Sequence, residues 1–467
     1  MALKPPAVPL SGAARPQMPY FANTDAEREE MLRAIGADSI DDLFADIPDA
    51  ARLTDPLNLP PAAWEEELRR DFGAMAARNR TLQSGPSFLG AGVYRHFIPA
   101  VVDPLIFRNE FYTAYTPYQP EASQGTLQAT FEFQSLLADL LEMNVVNASM
   151  YDGSTALAEA ILMAADLTGR TQVILSGAVH PEYRRVVQTY LRSRGLELIP
   201  VGGIEGEGVT PTAAVAERLG DGTACVVVQQ PNFFGCVEDV GALAQAAHNA
   251  GALLVQTSTD LTVFGALKPP GAWGVNIVAA EGQSLGVAPG FGGPHLGIIA
   301  TEERFVRRIP GRLVGMTKDI EGQRGFVLTL QTREQHIRRD RAASNICTNN
   351  GLLAIAAAVY LAALGPEGLR RVALHCVQGA HRLARLLGNL PGVGLMFEAP
   401  YFHEFVLRLP KDASEVNERL LDRGIIGGLP LGDEFPELRN CMLLCVTETN
   451  TPDDWRRLYD ALKEVTG

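Results

Sequence analysis

Ala224-Cys225-Val226-Val227-Val228, Leu253-Leu254-Val255 and Ile277-Val278-Ala279-Ala280 are three short apolar runs, each bounded by turn or helix signals, as buried strands are. Val173-Ile174-Leu175 is a fourth run of the same kind. Between them, from about Gln124 onward, lie stretches with helical periodicity, and strands interleaved with helices argue for a mostly parallel α/β sheet. In open sheets of this kind ligands collect beyond the carboxyl ends of the strands, so the residues just after each run are the ones to inspect.

Outward from this centre the chain is helical before and α+β after. Thr24-Asp25-Ala26-Glu27 is a capping-box pattern with Gly36 as the stop, a second start follows at Ser39, and Trp64 to Arg80 reads as a further helix. Residues 1–100 therefore read as a helical N-terminal arm and 101–325 as a large α/β domain. A charged, glycine-containing connector at Gly311 to Gly325 leads into a small α+β C-terminal domain, 326–467. There Phe402–Leu409 and Met442–Thr447 read as strands, Ser414–Arg423 as a helix, and Thr451-Pro452 as the cap and first residue of a final helix.

The 467 residues are 46% apolar and 20% charged, the balance of a folded globular protein. Lys plus Arg number 40 and Asp plus Glu 54, a net charge of −14 that opposes attraction to nucleic acid or anionic lipid. The longest apolar run, Leu352 to Leu364, is shorter than a bilayer span of roughly 20 residues and reads as a buried helix. Met1 to Met18 lacks the apolar centre of a secretory signal, so a cytoplasmic location is expected. The six cysteines show no paired metal spacing, and no metal site is expected.

Four motifs could carry chemistry. Gly282-Gln283-Ser284-Leu285-Gly286 matches a serine-hydrolase elbow, but Val287 to Pro294 after it cannot continue as the helix an elbow requires. Tyr151-Asp152-Gly153-Ser154-Thr155 opens a strongly helical run and gathers backbone N–H groups and two hydroxyls where an anion or phosphate could sit, or simply an N-cap. Pro231-Asn232-Phe233-Phe234-Gly235 sets an amide in the ligand crevice or forms a plain turn. Phe111 to Pro120 is the densest aromatic patch, suited to a pocket, a subunit contact or core packing. His180, His295, His336 and His403 form no ligand spacing and default to structural or surface roles.

The sequence resembles a known family, the N-terminal or alpha-type subunit of glycine decarboxylase, the P-protein of the glycine cleavage system. The likeness runs through Met18-Pro19-Tyr20, Ser39 to Phe44, Phe88 to Tyr94, Thr113 to Pro120, Gln124 to Gln128, Asn147 to Glu159, Pro231 to Cys236, Phe326 to His336 and Gly424 to Gly432. It departs in details such as Arg95, where an acidic residue is expected. The resemblance implies the architecture of fold-type-I pyridoxal-phosphate transferases, similar to aspartate aminotransferase. It implies a beta-type partner carrying the Schiff-base lysine, an alpha2beta2 heterotetramer, and service with the lipoylated H-protein and the T- and L-proteins. In that reaction glycine loses CO2 and its aminomethyl group passes to the lipoyl disulfide.

The chain supports this division of labour. Its lysines are Lys4, Lys268, Lys318, Lys411 and Lys463, and none follows the run Ile277–Ala280, where a Schiff-base lysine is expected; Gln283 stands near that place. Gln256-Thr257 follow Leu253–Val255 where an acidic partner for the pyridine nitrogen is expected, with Asp260 a few residues late. Tyr94, Tyr115, Tyr118 and Gln124 are the candidates for lining the partner's pocket across an interface; Ser154, Thr155 and Asn232 are vestigial cofactor-binding candidates. A noncatalytic stabilising or regulatory subunit is the alternative.

Overall fold

A computed structural model describes residues 22–53, 58–204 and 207–467. The Met18-Pro19-Tyr20 motif and the N-terminal segment lie outside the described residues. The chain divides into two compact units between Asn79 and Arg80. In the first, Thr24 and Glu27 close the capping box of the helix Asp25–Ile35, and Gly36 ends it in the left-handed conformation. The helix Glu65–Ala76 follows, and neither helix buries a residue.

The second unit is built on a seven-stranded sheet. Its strands are β1 (Val145–Val146), β2 (Gln172–Ser176), β3 (Glu197–Val201), β4 (Thr223–Gln229), β5 (Leu253–Ser258), β6 (Ile277–Glu281) and β7 (Gly297–Thr301), in the order β1-β7-β6-β5-β4-β2-β3. The run β3-β2-β4-β5-β6 is parallel, and β7 and β1 add an antiparallel edge. All seven residues of β4 are buried, as the continuous apolar run requires. Side chains alternate between two cores. Val226, Val228, Leu254 and Val278 face Leu243, Leu137 and Ala357, whereas Cys225, Val227, Val255 and Ile277 face Leu157, Ile161 and Val187. Truncating one of these valines to alanine costs about 1–3 kcal/mol, the lost transfer energy plus the cavity left behind.

The stretch read as a charged connector is a hairpin, β8 (Leu313–Lys318) with β9 (Arg324–Thr329). The charges sit at its tip, where Asp319 accepts from the N–H groups of Glu321 and Gln323. Val314, Phe326 and Leu328 pack on Leu127 of the helix Gln124–Leu141, so only one face of the hairpin carries an apolar signal.

The C-terminal sheet is wholly antiparallel, with β10 (Gly394–Leu395), β11 (Glu404–Arg408), β12 (Leu429–Pro430) and β13 (Cys441–Cys445) in the order β10-β11-β13-β12. Ala413–Asp422 and Pro452–Thr466 pack beside it, the latter capped by Thr451 with Pro452 as its first residue. The helical run Gly351–Leu387 is long and apolar enough to meet a length-and-composition criterion for a membrane span. Gly365, at φ 61° and ψ 179°, followed by Pro366, breaks it in two. The part before the break buries Ala354, Ala357, Tyr360 and Leu361 in the core of the large sheet.

Candidate functional site

The crevice beyond the carboxyl ends of β4, β5 and β6 is filled by the chain itself. After β6 the side chain of Gln283 accepts from the N–H of Tyr94 at 2.8 Å and donates to the carbonyls of Tyr94 at 3.0 Å and Val287 at 2.6 Å. It binds the inserted backbone as a neighbouring strand would. The Tyr94 ring is 2% exposed; its hydroxyl donates to Glu404 Oε2 at 2.8 Å and lies 3.0 Å from Thr259 Oγ1. Two glycines let this segment approach so closely. A Cβ at Gly90 would meet Cys445 Cβ at 2.6 Å, and Gly92, at φ +100°, lies against the ring of His180.

Asp260, just past β5, anchors a buried network. Its Oδ1 accepts from the N–H and hydroxyl of Thr262, each at 2.8 Å, and its Oδ2 lies 3.2 Å from His96 Nε2. His96 Nδ1 lies 2.8 Å from Glu448 Oε2, and Glu448 Oε1 accepts from the N–H of Phe97 at 2.7 Å. Burial opposes the Asp260 charge most strongly, but the charge and hydrogen bond of His96 outweigh it and hold the carboxyl well below its ordinary range. His96 is likewise opposed by burial, yet Asp260 raises its pKa well above the usual value. His403 Nε2 stands 3.3 Å from Asp260 Oδ2 without hydrogen-bond geometry, and burial pushes its pKa down to about 4, so that ring is neutral. Burial raises Glu404 to about 7 against the hydrogen bonds from Ala91 and Tyr94.

The helix Gly153–Thr168 opens at the same crevice with its donors already engaged. Asp152 Oδ1 accepts from the N–H groups of Ser154 at 2.8 Å and Thr155 at 3.0 Å, and also bonds the Ser154 hydroxyl; Thr155 Oγ1 donates to Asp152 Oδ2 at 3.1 Å. Glu281 Oε2 takes the N–H of Gly153 at 2.9 Å. Two internal carboxylates thus supply the negative charge that a helix N-terminus attracts. The cavity outside, about 470 Å³, is bordered by Asp152, Glu182 and Glu281 with His180 and His295. Asn232 is saturated: its amide donates to Gly208 O and Glu238 Oε1, and its oxygen accepts from Phe234 and Cys236.

These residues do not fit pyridoxal phosphate. Among the described residues no lysine reaches the Gln283 position: Lys268 lies 3.7 Å over the Trp273 ring, Lys411 donates to Val465 O, Lys318 ends β8 and Lys463 is in the last turn of the final helix. A phosphate at Ser154 and Thr155 would displace Asp152 and face carboxylates. Asp260 is committed to His96 and Thr262. Ser284 is no nucleophile either, being 1% exposed and accepting from the N–H of Leu261.

A second region is open. A groove of about 330 Å³ runs between Tyr115, Thr116, Arg312, Asn349 and Leu353. Arg312 is buried beneath it and donates to Thr116 Oγ1 and Asn349 Oδ1 at 3.1 Å and to the Tyr118 hydroxyl at 3.3 Å. Tyr115 is 82% exposed, with Tyr118 and Phe291 exposed as well. Gln124 clamps the hairpin, pairing with both backbone groups of Phe326 at 2.8 Å. Of the four residues expected to line an interface, Tyr115 and Tyr118 are therefore at the surface, Gln124 is engaged by β9, and Tyr94 is enclosed in this chain's own crevice. His96, His403, Glu404 and Glu448 were missed as a group, because they meet only through contacts between distant segments. Asp260 was visible by its place after β5, and His403 only as a histidine with a default structural role.

Residues 18–462 match the family model described as glycine cleavage system P-protein. The probable glycine dehydrogenase (decarboxylating) subunit 1 of Geobacillus kaustophilus is 51% identical, over 95% of this chain and 98% of that one. The Thermomicrobium roseum protein of the same description is 50% identical, over 96% and 100%. A crystal structure of glycine decarboxylase (P-protein) of the glycine cleavage system in inhibitor-bound form superposes with a TM-score of 0.87, at 50% identity, over 96% of this chain and 100% of that one. The Burkholderia pseudomallei sphingosine-1-phosphate lyase shares the fold at TM-score 0.64 and 17% identity, over 90% of this chain and 94% of that one.

Proposed function

Because the chain belongs to the glycine cleavage system P-protein family, we propose that it is the alpha-type subunit of a glycine dehydrogenase (decarboxylating) and works only when paired with a beta-type chain. The observation that carries this is the Gln283 side chain, bound to both backbone groups of Tyr94 where the fold would present a lysine. In the pair, pyridoxal phosphate is held by the partner, glycine is decarboxylated there with release of CO2, and the aminomethyl group passes to the lipoyl group of the H-protein.

This chain's own contribution is positional. The segment from Phe88 to Phe97, held by Gln283, Glu404 and Asp260, occupies the crevice at β5 and β6, whereas Tyr115, Tyr118 and the Arg312 groove stand open at the surface. We assign to that exposed aromatic face the contact with the beta-type chain in an alpha2beta2 assembly, with Tyr118 held in place by Arg312.

Tyr118→Phe tests the assignment. It should lower turnover of the reconstituted enzyme several-fold while the assembly, measured by size-exclusion chromatography with light scattering, stays intact. Unchanged turnover would remove Tyr118 from the shared site and favour a purely stabilising subunit.

A further inference from the structure

We propose that His96, Cys376 and Glu448 form a buried three-ligand binding site for one zinc-class divalent cation, with water as the fourth ligand, that fastens the inserted segment to the long helix and to the loop after β13. Their donor atoms lie within 4.8 Å of one another. His96 Nδ1 is 2.8 Å and Cys376 Sγ 3.4 Å from Glu448 Oε2. Tetrahedral zinc with bonds of about 2.0–2.3 Å sets neighbouring donors about 3.3–3.8 Å apart, so the sulfur–oxygen spacing already suits it and the nitrogen–oxygen spacing must open by about half an ångström.

Asp260 stands behind the imidazole, with its Oδ2 3.2 Å from Nε2. A carboxylate there keeps the Nε2 proton in place and turns the Nδ1 lone pair toward the cation, the usual support of a metal-bound histidine. An independent observation points to the same spot. The hydroxyl of Tyr360 is wholly buried and has no hydrogen-bond partner, and its ionisable neighbours are His96, Glu448, Asp260 and Cys376. A buried hydroxyl without a partner is costly, and a cation or its bound water would satisfy this one.

The mixed nitrogen, sulfur and oxygen set favours zinc over magnesium or calcium, and its burial makes the site structural. Binding forms N–Zn, S–Zn and O–Zn bonds and releases the Cys376 thiol proton and the His96 Nδ1 proton to solvent, so the divalent charge replaces two protons and the buried charge is unchanged. No sequence spacing reveals the site, because its ligands come from positions 96, 376 and 448.

The test uses the full chain, loaded with Zn2+ or Co2+ and desalted, beside Cys376→Ser and Glu448→Gln. The expected result is about one retained metal per chain, a melting temperature raised by several degrees, and a thiolate-to-cobalt charge-transfer band. Cys376→Ser should lose the band and Glu448→Gln should weaken retention. Less than about a tenth of an equivalent retained, a cobalt spectrum without the thiolate band, or equal zinc in Cys376→Ser would overturn the proposal. Should the variants not fold, the cobalt spectrum of the unaltered chain decides alone.

Discussion

The crevice at β5 and β6 and the groove above Arg312 both hold tyrosines from the segments that resemble the P-protein family, yet they are opposite in kind. In the crevice every polar group of Tyr94 has a partner within the chain, and the ring is sealed from solvent. At the groove Tyr115 and Tyr118 stand exposed, with one internal tie from Arg312 to the Tyr118 hydroxyl. One region spends its polar groups on contacts within the chain, and the other leaves its aromatic side chains free to meet something outside it. Substitutions in the crevice should therefore act on stability, and substitutions at the groove on turnover.

The largest expected effect is Gln283→Ala. It strands the buried N–H and C=O of Tyr94, each costing about 1–3 kcal/mol, so urea unfolding should show a loss of about 2–6 kcal/mol. A loss below about 1 kcal/mol would show that the inserted segment is held by other means. In Gln283→Lys no pyridoxal phosphate should bind to this chain, because Asp152 and Glu281 keep the helix donors. Cofactor absorbance in that variant would show that the lysine alone was missing.

Next comes Glu404, whose folded pKa of about 7 lies above the 4.5 of an ordinary glutamate. The folded state binds more protons than the unfolded one between these values. The contribution is therefore fully present below pH 4.5 and is lost as pH rises through 7, up to about 3 kcal/mol. Glu404→Gln, whose amide can accept from Ala91 and donate to Tyr94, should gain stability relative to the unaltered chain between pH 5 and pH 8. Parallel pH curves from thermal melts would contradict the buried-acid account. Smaller still is Tyr118→Phe, which should leave folding within about 0.5 kcal/mol while lowering turnover of the pair, as measured in parallel denaturation and activity assays.

Much of the fold was legible because apolar runs bounded by turns mark buried parallel strands: β2, β4, β5 and β6 lie where those runs are. The hairpin was not, since its apolar residues alternate over one face and its tip is charged. At the site, the missing lysine and the late Asp260 were readable once the resemblance implied an architecture in which each has an expected place. What replaced them was not, because His96, His403, Glu404 and Glu448 converge on Asp260 and Tyr94 through contacts spanning up to 352 residues. The Asp152 cap shows the same limit: Asp-Gly-Ser-Thr before a helix reads equally as phosphate cup and N-cap until the carboxylate is seen on the donors.

If the proposed pairing holds, this chain carries no cofactor of its own and completes an enzyme only with its partner. Glycine-dependent CO2 release with lipoylated H-protein, recorded together with pyridoxal-phosphate absorbance, tests it for this chain alone, the beta-type chain alone and the mixture. Release in the mixture only, with no cofactor absorbance from this chain, is the predicted result; absorbance and turnover from this chain by itself would contradict it.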